Sequence, residues 1–354
     1  MNYLVIFYNF KDIRILVDIS TLIRKVSEGG NLSFEVMVDI MDAMMRGKLS
    51  EVQIAAFLVA MRMKGETTEE IAAAATIMRK FASPVNLKVY PLVDTCGTGG
   101  DGSQTFNIST AAAMVVAACG GNVAKHGNRA ASSSSGSADV LEVAGARIDL
   151  SPDQIAKCMQ ATGIGFMFAP AHHSATRFAG KVRKQIGSRT LFNILGPMTN
   201  PAGADRQVMG VFEKNWVLSV AKVLNKLGIK HGLVVCSDDG MDEISVSVDT
   251  YIAEIKNGDI DTYKISPDYF ELKAQNTESL IATNPTESLK IINDVFDGRA
   301  EPAANIVAAN AGAALYVAGL CDGLKDGFSM ALDAIQAGHA KKTFDNFINF
   351  TKTA

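Results

Sequence analysis

From residue 89 onward, short apolar segments alternate with segments of helical length, and this alternation constrains the fold more than any other feature. Strands alternating with helices of about 10–15 residues are typical of βαβ units, in which helices cover both faces of a mainly parallel sheet. The sequence therefore predicts a large α/β domain over residues 89–354. Its successive apolar segments are Tyr90–Val93, Ala111–Cys119, Val123–Ala124, Val140–Val143, Arg147–Ile148, Ile164–Phe168, Gln207–Phe212, Val217–Leu227 and Gly232–Cys236.

The later part of the chain carries one hairpin signal and a helical end. Asn257-Gly258 separates two apolar segments, Thr250–Ile255 and Ile260–Ile265. An Asn-Gly pair in that position favours a type I′ turn, so we expect an antiparallel extension at one edge of the sheet. Ala303–Ala318 and Phe328–Asn346 have the composition of helices.

The first part of the chain has a helical pattern instead. Ser50 with Gln53, and Thr67 with Glu70, have the spacing of capping boxes at helix starts, and Pro84 ends the last helix. We expect a small N-terminal helical domain over residues 18–88, joined in space by residues 173–200. Residues 1–17 have neither a basic start nor a cleavage site, so they are interpreted as an extension and not as a signal peptide.

Charge and composition exclude several classes of function. The 34 basic and 37 acidic residues give a formal net charge of −3, which argues against general nucleic-acid binding. No apolar run approaches the ~18–20 residues needed to cross a membrane. The five cysteines are scattered and have no metal-binding spacing, which favours free thiols in a reducing cytoplasm. We expect neither a nucleic acid nor a membrane as a partner.

A glycine-rich loop follows the first predicted strand and ends where a helix begins. Gly97, Gly99, Gly100 and Gly102 allow close approach of backbone amides to a ligand, and the polar run Asn107–Thr110 is typical of a helix start. Such an arrangement binds anions, most often phosphate. The alternative interpretation is a plain tight turn. The loop matches neither the P-loop nor the usual dinucleotide-binding pattern.

A second polar segment, Lys125–Asp139, follows the next predicted strand. It is expected at the same sheet edge, where open α/β sheets bind their ligands. Lys125 and Arg129 supply positive charge beside the glycine-rich loop, although a flexible serine loop without a ligand is the alternative. His126 is either a general base or a hydrogen-bonding scaffold, and the sequence leaves both open.

Two charged segments complete the candidate site. Asp238, Asp239, Asp242 and Glu243 would repel one another unless a cation or solvent screened them, which suggests Mg²⁺ or else a solvated acidic turn. A basic segment within 169–201 is either a solvated helix face or a clamp for a carboxylate. Its cationic residues are Arg177, Lys181, Arg183, Lys184 and Arg189.

Together these motifs resemble the anthranilate phosphoribosyltransferase family, whose reaction belongs to tryptophan biosynthesis. The likeness runs in order from about residue 20 to the end of the chain. The motifs are Gly97-Thr-Gly-Gly-Asp101, Asn107-x-Ser-Thr110, Lys125-His-Gly-Asn-Arg129, Gly136-Ser-Ala-Asp139, Asn193-x-Leu-Gly-Pro-x-Thr-Asn-Pro201 and Asp242-Glu243.

The resemblance implies a homodimer joined through the helical domains and an enzyme that transfers a phosphoribosyl group from 5-phosphoribosyl 1-diphosphate to anthranilate. Mg²⁺ would be held by Ser109, Asp242 and Glu243. Anthranilate would bind along Gly97, Asn128, His173, Arg183 and Pro197, and the catalytic residues would be Lys125, Asn128 and Arg183. The donor would contact Gly97, Gly100, Asp101, Thr105, Asn107, Ile108, Ser109, Thr110, Lys125, His126, Gly127, Asn128, Arg129, Ala130, Ala131, Ser132, Ser133 and Ser137.

The sequence departs from the family pattern at the acceptor side. Ser174 stands where proline is common, Thr176-Arg177 replaces a common Met-Lys, and Ser188 replaces an apolar residue. Two rival functions are a nucleoside phosphorylase, which would use free phosphate without Mg²⁺, and a non-catalytic nucleic-acid-binding relative of the same fold. The Lys125–Arg129 motif and Asp242-Glu243 argue against the first, and the acidic charge balance argues against the second.

Overall fold

The computed structural model describes residues 18–130 and 133–354. The expected extension, residues 1–17, lies outside the described residues. Ala131 and Ser132, which were expected to contact the donor, lie outside them too.

The N-terminal part of the described chain is a bundle of helices. Both predicted capping boxes are present, because Ser50 accepts from the Gln53 amide and Thr67 from the Glu70 amide. The Glu70 carboxylate is wholly buried, and it accepts a hydrogen bond from the Leu32 amide and pairs with Lys64 at 2.9 Å. The helices are α1 (Ile19–Ser27), α2 (Phe34–Met45), α3 (Glu51–Lys64) and α4 (Thr68–Phe81).

A seven-stranded sheet forms the centre of the second part, with strand order β3-β2-β1-β4-β5-β6-β7. The first five strands pair in parallel, whereas β6 and β7 are antiparallel at one edge. This confirms the predicted fold class. The strands are β1 (Leu92–Gly97), β2 (Asn122–Gly127), β3 (Ile164–Phe168), β4 (Arg206–Gly210), β5 (His231–Ser237), β6 (Thr250–Lys256) and β7 (Asp259–Ile265).

The predicted hairpin joins β6 to β7. Asn257 has a φ of 54° and Gly258 a φ of 97°. Both central residues therefore occupy the left-handed region, as a type I′ turn requires.

Helices cover the sheet. The apolar segment Val140–Val143 belongs to a helix, and residues 147–148 lie in no strand. The helical segment Phe328–Asn346 is divided at Gly338, whose φ is 74°. The helices are α5 (Ile108–Ala118), α6 (Ser137–Val143), α7 (Pro152–Thr162), α8 (Ala169–His172), α9 (Arg177–Ile186), α10 (Leu191–Leu195), α11 (Lys214–Lys226), α12 (Pro285–Phe296), α13 (Glu301–Val317), α14 (Leu324–Gln336) and α15 (His339–Thr353).

Apolar side chains fill both faces of the sheet. Val208 and Leu233 belong to one cluster with α5 and α13, while their neighbours Met209 and Val234 belong to a second cluster with the helical bundle and α11. The alternation follows from the two-residue period of a strand. Side chains of α9 and α10 join the second cluster, so these two helices pack with the bundle. The predicted domain boundaries, residues 18–88 and 89–354, stay a prediction. None of the described helices has the length and apolarity needed to cross a bilayer.

Candidate active site

The glycine-rich loop leaves the carboxyl end of β1 and leads into α5. Gly99, Gly100 and Gly102 have φ values of 62°, 71° and 80°, a region that side chains disfavour. Asp101 organises the turn, because its carboxylate accepts from the Ser103 amide at 3.2 Å and from the Ser103 hydroxyl at 2.6 Å. The loop therefore forms a tight glycine-rich turn that leads into a helix, the arrangement that is typical of anion sites.

The acidic segment after β5 lies directly against this loop. The Gly99 amide donates to Asp242 Oδ2 at 2.7 Å, and the Asp242 amide lies 3.4 Å from Asp101 Oδ2. The four acidic residues have different surroundings. Asp238 pairs with Lys264 at 2.9 Å, and Asp239 accepts a hydrogen bond from the Ser237 hydroxyl. Only Asp242 and Glu243 of the four line the cleft.

Asp242 and Glu243 are buried close together, so their charged forms are unfavourable unless a cation screens them. Burial raises the pKa of the Asp242 carboxyl, and the nearby Asp101 raises it further. Burial raises the pKa of Glu243 well above its usual value, with Asp242 as the second cause. Within the described ranges, no three His, Cys, Asp or Glu side chains form a ready-made metal site. The pair suits Mg²⁺, which usually takes one or two protein carboxylates and completes its shell with water and substrate phosphate.

Lys125 places a buried ammonium group between β1 and α5. The side chain is 2% exposed, and its Nζ atom donates to the Thr95 carbonyl and lies 3.3 Å from Ser109 Oγ. Burial lowers the pKa of Lys125, and the nearby Asp94 carboxylate partly opposes that change. The Ser109 backbone lowers the pKa of the Glu243 carboxyl, against the larger effect of burial. A positive charge and the acidic pair therefore meet at the first turn of α5.

Asn107, at the start of α5, connects the glycine-rich loop to the serine loop (residues 133–137). Its Oδ1 atom accepts from the hydroxyls of Ser135 at 2.7 Å and Ser288 at 2.8 Å. The backbone amide of Asn107 donates to Ser288 Oγ at 3.0 Å, and its side-chain Nδ2 atom donates to the Ser135 carbonyl. Asn107 therefore ties the start of α5 to the serine loop and to Ser288 of α12.

Arg129 is exposed and is already paired with carboxylates. Its guanidinium contacts Glu142 and lies 3.2 Å from Asp139, above the Phe168 ring. Asp139 also accepts from the amides of Ala130 at 2.8 Å and Gly136 at 3.0 Å. Asp139 therefore organises the segment that the sequence assigned to the donor.

Two histidine rings lie together in the cleft. The centroids of His126 and His173 are 5.0 Å apart. Burial lowers the pKa of His126 to about 3 and that of His173 to about 4, with the other histidines as the second cause. Both rings are neutral at pH 7, and a group with so low a pKa is a weak base. This argues against the general-base role for His126, whose buried Nε2 atom also has no hydrogen-bond partner among the described residues.

The acceptor side is formed by α9, α10 and the turn that follows. Arg183 is half-buried, its guanidinium lies 5.0 Å from the Phe192 ring centroid, and burial lowers its pKa. Within residues 18–130 and 133–354, no carboxylate pairs with Arg183. The Pro197 carbonyl accepts from Gln207 at 2.6 Å, which fixes the turn against β4. An unpaired, partly desolvated guanidinium is suited to binding a carboxylate.

All these features line one cleft of about 640 Å³. Every described residue of the predicted donor, acceptor and metal sets lies on its wall. Sequence reasoning missed Met78, Gln104 and Thr199, which also line it. Met78 gives no local signal because it is one apolar residue on the buried face of α4, whereas Gln104 stands at the end of the recognised glycine-rich loop.

The fold and the cleft define a two-domain glycosyl transferase. The family model described as "Glycosyl transferase family, helical bundle domain" matches residues 20–82. The one described as "Glycosyl transferase family, a/b domain" matches residues 89–341.

The relatives narrow the class further. An anthranilate phosphoribosyltransferase from a Marinomonas species is 50% identical over 338 residues, covering 95% of this chain and 98% of the relative. One from Cellvibrio japonicus is 49% identical, covering 95% and 99%. The crystal structure of the Thermus thermophilus enzyme has a TM-score of 0.87 at 40% identity, covering 93% of this chain and 99% of that one. The chain belongs to the anthranilate phosphoribosyltransferase family.

A more distant structure shares the fold. The Saccharomyces cerevisiae enzyme, solved "in complex with PRPP and Mg", has a TM-score of 0.87 at 24% identity, covering 95% of this chain and 98% of that one.

Proposed function

We propose that this cleft transfers the 5-phosphoribosyl group from 5-phosphoribosyl 1-diphosphate to the amine of anthranilate, in tryptophan biosynthesis. The observation that carries the proposal is the meeting of three separated segments at the carboxyl edge of the sheet. The glycine-rich loop contacts Asp242, Lys125 contacts Ser109, and Glu243 lines the same cleft as both. Anion-binding amides, a cation and a carboxylate pair are what a diphosphate bound with a divalent ion requires.

The donor is held by the glycine-rich loop and the first turn of α5. Amides near Gly100 face its phosphates, and Lys125 stabilises the charge of the leaving diphosphate. Removing such a donor group from a site that excludes water commonly costs about 3 kcal/mol of transition-state stabilisation. The polar atoms of Asn128, Ser133 and Ser137 fix the ribose and its 5-phosphate.

Mg²⁺ is the implied metal, and the residues present fit it. Asp242, Glu243 and the Ser109 hydroxyl would hold it. When bound, it supplies neutralisation of the diphosphate charge as the glycosidic C–O bond breaks. The Gly99 amide orients Asp242 for this task.

Arg183 pairs with the anthranilate carboxylate, and Gly97, Asn128, His173 and Pro197 shape the space around the ring. Since an aromatic amine is neutral at pH 7, it attacks C1 without prior removal of a proton. The enzyme therefore works mainly by placing nitrogen and carbon in line. The neutral His126 and His173 rings agree with this, because neither carries a charge that would repel Arg183.

Three of the four residues that depart from the family pattern, Ser174, Thr176 and Arg177, line the cleft on the acceptor side. Thr176 Oγ1 donates to the His173 carbonyl at 2.7 Å, so it supports the residue that faces the ring of anthranilate. Ser188 is absent from the described wall of the cleft. The acceptor pocket is therefore where this chain departs from the family pattern.

The test uses the fluorescence of anthranilate. The purified protein is mixed with anthranilate, 5-phosphoribosyl 1-diphosphate and Mg²⁺, and each component is omitted in turn. We expect fluorescence to fall only when all are present. Unchanged fluorescence in the complete mixture would refute the proposal, and cleavage of a nucleoside by free phosphate without Mg²⁺ would establish the phosphorylase instead.

We also propose a homodimer joined through α3. Val52, Val59 and Met63 are 78%, 40% and 83% exposed. Their spacing of seven and then four residues places them on one face of the helix. Val59→Asp with Met63→Asp should give a monomer by analytical ultracentrifugation, whereas Val143→Asp on α6 should not.

A reducing cytoplasm is the compartment we propose for this enzyme. All five cysteines are free thiols. Free thiols without disulfides are usual for proteins of that compartment.

A further inference from the structure

Asn310 makes a paired contact with the backbone of the acidic segment. It lies on α13 and is 2% exposed. Its Oδ1 atom accepts from the Ile244 amide at 2.9 Å, and its Nδ2 atom donates to the Ile244 carbonyl at 3.0 Å. One side chain thus satisfies both backbone groups of one buried residue, as a neighbouring strand would do.

Ile244 directly follows Glu243, so this contact fixes the chain next to the acidic pair. On the other side of Glu243, Asp242 is fixed by the Gly99 amide at 2.7 Å. Two residues beyond, the Thr250 hydroxyl accepts from the Ser245 amide at 3.0 Å. Glu243 is therefore held between two anchors, one on the glycine-rich loop and the other on α13.

We propose that Asn310 is a positioning residue that aims the Glu243 carboxylate at a divalent cation. This inference rests on the proposed function, in which Glu243 holds that cation. Asn310 acts through the backbone, since it is absent from the described wall of the cleft. Groups that orient a metal ligand in this way are commonly worth about 10- to 100-fold in metal affinity.

The chemistry of the carboxamide explains why asparagine occupies this position. The Ile244 amide needs an acceptor and the Ile244 carbonyl needs a donor, and asparagine offers both on one planar group. Leucine has a similar volume and offers neither, so it would leave two buried backbone groups unpaired. The segment would then rearrange to pair them, and Glu243 would move with it.

α13 also supplies a matched control. Asn305 is 4% exposed on the same helix, and its Nδ2 atom lies 3.3 Å from Gln275 Oε1. It makes no hydrogen bond with Ile244 within the described chain. Asn305→Leu therefore imposes a similar change of polarity on α13 without touching the acidic segment.

The experiment measures Mn²⁺ binding by electron paramagnetic resonance, in the presence of inorganic diphosphate and without turnover. The proteins are the wild type, Asn310→Leu, Asn310→Ser and Asn305→Leu, each checked for folding by circular dichroism. Asn310→Ser is included because a smaller polar residue is better tolerated than leucine if the larger change prevents folding. We expect the Mn²⁺ dissociation constant to rise about tenfold in both Asn310 variants and less than twofold in Asn305→Leu.

Wild-type affinity in a folded Asn310 variant would overturn the inference. Equal weakening in Asn305→Leu would overturn it too, since the effect would then come from α13 as a whole. If the wild type itself binds no Mn²⁺ with diphosphate, the metal assignment in the proposed function fails, and this inference fails with it. Loss of Mn²⁺ affinity that is confined to the Asn310 variants supports both the metal assignment and the positioning role of Asn310.

Discussion

The backbone amide of Gly99 donates a hydrogen bond of 2.7 Å to the carboxylate of Asp242, 143 residues away in the sequence. The same carboxylate oxygen lies only 2.3 Å from where a Cβ atom at Gly97 would stand. The glycine-rich loop therefore packs against Asp242 so closely that a side chain at Gly97 would not fit. Residues that supply phosphate-binding amides and residues that favour a cation are held in one fixed arrangement.

Gly97→Ala should disrupt this arrangement. A Cβ atom at 2.3 Å from Asp242 Oδ2 is closer than van der Waals contact allows, so Asp242 must turn away and lose its bond to Gly99. We expect kcat/KM to fall about 100-fold, comparable to losing one well-placed electrostatic group. Steady-state kinetics with both substrates measures the change.

The matched control is Gly180→Ala on α9. A Cβ atom there meets nothing within 4 Å, and alanine is the better helix former. This variant should keep wild-type kinetics. Equal activity of Gly97→Ala and Gly180→Ala would show that Asp242 tolerates displacement.

Arg183→Ala should act on the acceptor alone. A guanidinium that forms two charged hydrogen bonds with a carboxylate is worth about 2–3 kcal/mol, which corresponds to about 30- to 150-fold in KM. We expect the KM for anthranilate to rise by this factor and the KM for the phosphoribosyl donor to change less than threefold. The control is Lys184→Ala, at the exposed neighbouring residue, which should behave like the wild type. Equal changes in the two KM values of Arg183→Ala would contradict the assignment.

Asp242→Asn combined with Glu243→Gln tests the metal site. Both replacements keep the shape of the side chain and remove the charge that attracts a cation. We expect activity at saturating donor to fall by at least about 100-fold and the response to added Mg²⁺ to be lost. A Mg²⁺ titration of the initial rate measures both effects.

Asp238→Asn is the control for that double variant, because Asp238 belongs to the same acidic run yet pairs with Lys264. It should leave the Mg²⁺ response unchanged. An unaltered Mg²⁺ response in the double variant would mean that Asp242 and Glu243 are merely acidic residues of a solvated turn.

Local signals were enough to predict most of the fold. The Asn257-Gly258 turn and the two capping boxes depend on residues next to each other in the chain, and all three are present as expected. Local signals also have limits. The apolar segment Val140–Val143 is too short for its periodicity to distinguish a strand from a helix. Gly338 lay inside an apolar helical pattern, and its positive φ depends on how α14 and α15 pack.

The site was only partly predictable, for a different reason. The glycine-rich loop, Lys125 and the acidic pair are recognisable from their own residues and from the rule that ligands bind at the carboxyl edge of such sheets. The contacts that hold these residues in place cannot be recognised from the sequence. Ser288 reaches Asn107 across 181 residues and Asn310 reaches Ile244 across 66, and neither polar residue belongs to a motif. A single serine or asparagine on a helix gives no sign of its partner until the chain is folded.

The buried histidines predict how stability depends on pH. The pKa of His126 falls to about 3 and that of His173 to about 4 in the folded protein, below the ordinary value of 6.5. The unfolded chain therefore binds more protons between these values, so the stability contributed by each neutral ring is present above pH 6.5 and is lost as the pH falls. At pH 5 the loss is about 2 kcal/mol for each ring.

His173→Asn should reduce this dependence, because asparagine keeps a polar group in the cleft and does not titrate. We expect the free energy of unfolding of the wild type to fall between pH 7.5 and pH 5 by about 2 kcal/mol more than that of the variant. Urea unfolding at the two pH values measures the difference. His339→Asn, at an exposed histidine, should behave like the wild type. A wild type and a His173→Asn variant that lose equal stability would show that the pKa of His173 stays near its ordinary value of 6.5 in the folded protein. The ring would then gain a positive charge beside Arg183 only as the pH falls below that value.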